Sequence, residues 1–148
     1  MNKEAIARDL IRHEGVVYHI YLDSEDLPTF GVGHLVTEDD PEYGLPVGTT
    51  VDVDRVNDVF EEDLDTAIDE CLVLFPDLLE YLEPVQRVLV NMTFNLGRPR
   101  LSRFRKMIAA VEANDWNEAA NQMVDSKWYR QVKTRGVELV ELMRSANG

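Results

Sequence analysis

Leu10-Ile11-Arg12-His13-Glu14-Gly15-Val16-Val17-Tyr18-His19-Ile20-Tyr21-Leu22-Asp23 changes its periodicity partway along, and that change sets the fold. Ile6 and Leu10 lie four residues apart, so residues 3–13 read as a short amphipathic helix. Arg12 and His13 fall in its last turn, where positive charge suits the helix dipole, and Gly15 follows as a stop. Val16 to Leu22 is rich in β-branched and aromatic residues and reads as a strand. Asp23-Ser24-Glu25-Asp26 is turn chemistry, and Leu27 to Val32 resumes extended character, which makes a hairpin.

Downstream, residues 37–50 gather Pro41, Gly44, Pro46 and Gly48 and read as loop. Asp52 or Asp54 then caps a long helix to about Leu74, with Val56, Val59, Phe60, Leu64, Ala67, Ile68 and Cys71 recurring on one face until Pro76 ends it. Further helices are expected over about Pro84–Leu96, Ser102–Ala113, Trp116–Ser126 and Thr134–Arg144. The pattern is α+β and two-lobed within a single domain spanning 1–148. A front lobe at about 14–52 is followed by a connecting helix at about 53–74. A helical lobe at about 76–148 takes helix 3–13 with it.

Net charge is −13 and unevenly spread. Residues 1–83 hold 4 Lys/Arg against 22 Asp/Glu, whereas residues 84–148 hold 11 against 6. A chain this acidic is a poor candidate for nucleic-acid binding. The single cysteine, Cys71, excludes an internal disulfide framework and a cysteine-based metal site, and its apolar neighbours predict burial. Charges scattered through the N-terminus argue against a signal peptide, and no run approaches the length of a membrane span, so synthesis in the cytoplasm without stable membrane insertion is expected. Gly31-Val32-Gly33 lacks the third glycine and the strand-to-helix context of a nucleotide loop. Neither cofactor nor metal is called for.

Glu14 stands where the first helix ends. The helix dipole disfavours an ionised carboxylate there, and so favours the protonated form that a general acid needs. Asp23 closes the first strand at the turn and Thr29 lies early in the returning one, so the hairpin brings a carboxylate near a hydroxyl. Cleavage of a glycosidic bond commonly uses two carboxyl groups flanking it. Taken by itself, a Glu and an Asp near a turn is a common arrangement.

These residues, however, resemble a known pattern. Leu10-Ile11-Arg12-His13-Glu14-Gly15, Tyr21-Leu22-Asp23 and Thr29-Phe30-Gly31-Val32-Gly33-His34-Leu35 look like the active-site region of the T-even phage lysozymes, with the spacing Glu-x8-Asp-x5-Thr followed by Gly-x-Gly-His. Phe60-Glu61-Glu62-Asp63-Leu64-Asp65, Asn91-Met92-Thr93-Phe94-Asn95-Leu96-Gly97, Trp116-Asn117-Glu118-Ala119-Ala120 and Ser126-Lys127-Trp128-Tyr129 extend the resemblance over nearly the whole chain, with a front lobe shorter by a loop around 37–50. The resemblance implies a lysozyme-like fold and a monomeric, cofactor-free muramidase. Its substrate would be the β-1,4 link between N-acetylmuramic acid and N-acetylglucosamine of bacterial peptidoglycan. The protein would serve host lysis after release to the periplasm through a pore made by another protein.

By the same resemblance Glu14 is the general acid, Asp23 helps position or activate the attacking water, and Thr29 holds that water on the opposite face of the sugar, which implies inversion. Leu35, Phe94 and Asn95 match residues lining the cleft, although core packing explains Leu35 and Phe94 as well. His34 and Asp63 match a buried ion pair, Tyr21 and Asn91 support the site, and Arg135 matches an arginine that pairs with the catalytic Glu. Trp116 and Trp128 fit core stripes. A lytic transglycosylase needs no water-holding pair, so Asp23 and Thr29 argue against it; a non-catalytic wall-binding protein or an inhibitor is disfavoured by the presence of all three residues.

One departure stands out. T-even relatives are typically basic, whereas here cations concentrate in Arg98, Arg100, Arg103, Arg105 and Lys106, and in Lys127, Arg130, Lys133 and Arg135. This basic face is expected to meet acidic peptide stems or muramyl carboxylates. Alternatively, it balances the acidic front half.

Overall fold

The computed structural model describes residues 1–147. The chain divides into two compact units, Ala7–Thr66 and Met1–Ile6 with Ala67–Gly148. Two helices, α1 (Lys3–Glu14) and α2 (Val53–Leu74), contribute residues to both.

The first unit holds an antiparallel sheet of β1 (Val17–Leu22), β2 (Pro28–Gly31) and β3 (His34–Leu35), in that order. The hairpin expected from the sequence is present, with Tyr21 paired to Thr29 and Leu22 to Pro28. The third strand was not anticipated; Thr29 pairs with Leu35 and Phe30 with His34. Residues 48–51 run along the free edge of β1, where Ile20 N–H donates to Thr49 O (2.9 Å), Gly48 N–H to Ile20 O (2.7 Å) and Val51 N–H to Tyr18 O (2.9 Å). Part of the expected loop therefore covers an edge that would otherwise expose unpaired backbone groups. Ile20, Phe30, Val51, Val56 and Val59 form the core, with Val16 and Val36 packed against them. Each large apolar side chain buried in this way contributes about 1.5–3 kcal/mol.

Asp52, one of the two expected caps, starts α2: its Oδ2 accepts from Asp54 N–H at 3.1 Å and its carbonyl from Val56 N–H at 3.0 Å. Val56, Val59, Leu64, Ala67 and Cys71 are its buried stripe.

In the second unit a short 3-10 turn, Leu78–Glu80, leads into α3 (Glu83–Leu96), whose Val85, Val88, Leu89, Val90 and Met92 are all buried. It is followed by α4 (Arg98–Leu101), α5 (Arg105–Glu112), α6 (Trp116–Val124), α7 (Lys127–Val132) and α8 (Thr134–Ser145); α4 and α8 pack on α3, and α5 packs on α6. Two sequence expectations need correction. The helix expected over Ser102–Ala113 starts only at Arg105, because Ser102 Oγ donates to Pro99 O (2.6 Å) and closes a separate turn. Ser126, expected as the end of the Trp116 helix, caps α7 instead, its Oγ accepting from Tyr129 N–H at 3.1 Å. Cys71 is fully buried, as its neighbours predicted, and burial pushes its thiol up to about 12 against a weaker opposing hydrogen bond with Thr93. No helix among the described residues is long and apolar enough to cross a membrane.

Candidate active site

Glu14 is the last residue of α1, and the helix stops there as Gly15 N–H donates back to Ile11 O at 2.9 Å. The Glu14 side chain is half-buried and runs beside the β2–β3 turn. A Cβ placed on Gly33 would stand 3.3 Å from both Cδ and Oε1 of Glu14.

Asp23 and Thr29 are tied together through Leu27. Asp23 Oδ1 accepts from the backbone N–H groups of Glu25 (2.8 Å) and Leu27 (3.0 Å), and Asp23 N–H donates to Leu27 O (3.0 Å). Thr29 Oγ1 donates to the same carbonyl at 2.9 Å. Thr29 is buried, with 3% of its surface exposed, while Asp23 is half-buried. Asp23 thus shapes its own turn with one carboxylate oxygen.

Strand register assembles the rest of this group. Tyr21, Thr29 and Leu35 pair across the three strands, and directly paired residues share one face of a sheet. Leu35 lies on that face with 45% of its surface exposed, which suits contact with a ligand better than core packing. Burial raises the Tyr21 phenol above its ordinary value, and the negative charges of Glu14 and then Asp23 raise it further. The Tyr21 phenol is therefore within electrostatic reach of both acids named from the sequence.

His34 is held from both sides. Its Nδ1 lies 2.7 Å from Asp63 Oδ2 and its Nε2 lies 2.8 Å from Asp40 Oδ2. An ionised carboxylate only accepts hydrogen bonds, so both ring nitrogens must carry protons to satisfy both partners. Burial pulls the His34 pKa down, but hydrogen bonds to Asp63 and Asp40, together with their charges, outweigh it and leave a net rise. Burial would raise Asp40, yet the Thr37 amide, His34 and Arg55 together lower it. Arg55 in turn grips Glu42 with Nε (3.1 Å) and Nη2 (3.0 Å) and reaches Asp40 with Nη2 (3.2 Å). The sequence named His34 and Asp63 but missed Asp40, Arg55 and Glu42. Among Glu38, Asp39 and Asp40 nothing local marks the one that folds back onto His34.

The remaining named residues lie in the helical unit. Arg135, buried, donates from Nε to Asn91 Oδ1 at 2.9 Å. Asn95 Oδ1 accepts from Trp128 Nε1 at 2.8 Å, which leaves the Asn95 amide N–H groups available. Trp128 is 4% exposed and Trp116 8%, in keeping with core positions, whereas Phe94 is half-buried. Ala7–Thr66 carries 16 Asp/Glu against 3 Lys/Arg, and the helical unit carries 12 of each. The whole net charge of −13 thus resides in the unit that holds Glu14 and Asp23. No cluster of three or more His, Cys, Asp or Glu side chains able to hold a metal occurs among the described residues.

A family model described as phage lysozyme matches residues 11–145. The chain is similar to the pre-baseplate central spike protein Gp5 of Enterobacteria phage T4, at 25% identity over 97% of this chain, and it spans 28% of that protein's length. It is 24% identical to the probable T4-type lysozyme 1 of Dictyostelium discoideum over 93% of each chain. Against the peptidoglycan hydrolase gp36 of Pseudomonas phage phiKMV, identity is 25% over 92% of this chain and 15% of the relative.

Proposed function

The chain belongs to the phage lysozyme family, and on that premise we propose that it is a muramidase hydrolysing the β-1,4 bond between N-acetylmuramic acid and N-acetylglucosamine in bacterial peptidoglycan, with inversion. The observation that carries this reading is the joint anchoring of Asp23 and Thr29 on Leu27, beside a Tyr21 phenol that responds to both Glu14 and Asp23.

In the proposed reaction, protonated Glu14 donates its proton to the glycosidic oxygen as the bond to the anomeric carbon breaks. A water attacks from the opposite face. Thr29 has turned its hydroxyl proton onto Leu27 O, so its oxygen accepts one hydrogen of that water. Asp23 Oδ1 is taken by two backbone amides, so Oδ2 accepts the other hydrogen and receives the proton as the new C–O bond forms. With both hydrogens held, a lone pair of the water points at the sugar. Leu35, Phe94 and Asn95 contact the glycan in this reading, Asn95 through its amide N–H. Asn91 and Arg135 brace the helical unit. The protein acts as a monomer on the wall in host lysis, in the periplasm, once a separate pore-forming protein has opened the membrane.

Glu14→Gln tests this reading. The amide keeps the shape but cannot donate the proton. Clearing of permeabilised bacteria should fall at least about 10²-fold while circular dichroism is unchanged. Reducing sugar ends of inverted anomeric configuration are the expected product; anhydro ends or a fully active Glu14→Gln protein would sink the proposal.

A further inference from the structure

We propose that Gly33 is a positioning residue for Glu14: by lacking a side chain, it leaves the space in which the Glu14 carboxyl sits. This rests on the reading of Glu14 as proton donor. Gly31 and Gly33 have φ of +66° and +64°, so the turn joining β2 and β3 occupies the left-handed region twice. Each glycine also faces a close neighbour. A Cβ on Gly31 would meet Val56 Cγ1 at 3.2 Å, and one on Gly33 would meet Glu14 Cδ and Oε1 at 3.3 Å and Oε2 at 3.6 Å.

Whether the backbone or the carboxyl gives way decides what a methyl group at position 33 does. The turn is pinned. Phe30 before it is fully buried in the core, Gly31 lies against Val56, and His34 after it is bonded to Asp63 and Asp40. The carboxyl is the far end of a side chain with three rotatable bonds, so it moves first. A shift of a few tenths of an ångström is tolerable to the fold, but general-acid catalysis requires hydrogen-bond reach to the leaving oxygen. Gly33 therefore sets where the proton is delivered, and the Val56 and His34 contacts stop the turn from retreating.

The test compares Gly33→Ala with Gly44→Ala. Gly44 has φ of +81° with nothing within 4 Å of an added Cβ, so it isolates the backbone strain. Thermal midpoint, kcat, KM and the pH profile of kcat are measured on bacterial walls. Both variants should lose a similar amount of thermal midpoint. Only Gly33→Ala should lose kcat, on the order of 10-fold with KM little changed, and only its acid-base limb should move. A kcat equal to that of Gly44→Ala overturns the proposal. Should Gly33→Ala not fold, adding Glu14→Ala must restore folding, since it removes the obstructing carboxyl; continued failure to fold also overturns it. Glu14→Gln is assayed alongside: full activity there removes the proton-donor reading, whereas an inactive Glu14→Gln with a fully active Gly33→Ala removes only the positioning role.

Discussion

Thr29 turns its hydroxyl proton onto the carbonyl of Leu27, 2.9 Å away, and so offers only its oxygen lone pairs to anything else. A threonine fixed in this way accepts from a water and does not donate to it. Thr29→Val keeps the shape and loses the acceptor. Leu27 O retains the Asp23 N–H as a partner, so stability should change by no more than about 1 kcal/mol. Wall hydrolysis should fall about 10²-fold, with Thr29→Ser retaining most of it. Equal turnover by the Val and Ser variants would contradict the water-holding role.

In the proposed reaction Asp23 has two tasks on two oxygens, and substitution separates them. Asp23→Asn preserves an acceptor for the Glu25 and Leu27 amides, so the turn and the thermal midpoint should survive while kcat drops about 10²- to 10⁴-fold. Asp23→Ala should add a stability loss of about 1 kcal/mol for each orphaned amide. Urea unfolding of the two proteins checks this; identical midpoints would show that the carboxylate does not hold the turn.

The Asp63–His34–Asp40 arrangement predicts a signed pH dependence. The folded pKa of His34 is raised above 6.5, so its contribution is fully present below about 6.5 and is lost as pH rises through the folded value. Asp40 is lowered below 3.8, so its contribution is present above that value and is lost as pH falls through the folded one. Stability from this network should therefore be greatest between about pH 4 and 6.5. Thermal midpoints measured across pH should show a decline on the alkaline side that His34→Gln abolishes. A midpoint that rises with pH above 7 in the parent and not in His34→Gln would reverse the assignment.

The basic residues of α4 and of the turn that follows it supply a kinetic prediction. Arg98 is already paired with Glu70 at 2.7 Å, so the exposed Arg100 and Arg103 are the better probes of an anionic wall. Arg100→Glu with Arg103→Glu should raise KM on walls several-fold at low salt, leave kcat alone, and weaken the dependence of KM on ionic strength. A KM unchanged from the parent at low salt would reduce these charges to solvation.

Much of this architecture could be read from the chain because its signals are local. The switch from helical spacing to β-branched residues at Gly15 locates both α1 and β1, and the apolar stripe from Val56 to Cys71 locates α2. Glu14 stands out as an acid at the wrong end of a helix. What escaped notice depends on distant partners. β3 has two residues, too few to show alternation, and exists because His34 and Leu35 pair with Phe30 and Thr29. Asp40 is one acid in a run of three until His34 selects it. The start of α7 is visible in principle, since Ser126 is an ordinary capping residue, but the apolar spacing from Trp116 onward runs through it.

Cys71 has a practical consequence. Its sulfur is fully enclosed, and its thiol stays protonated far above neutral pH, so thiol-directed reagents find no reactive thiol on the native molecule. A cysteine introduced at an exposed position such as Val73 or Leu79 becomes the one reactive handle. Dyes, spin labels or surface attachments can then be placed at a chosen point without first removing the natural thiol.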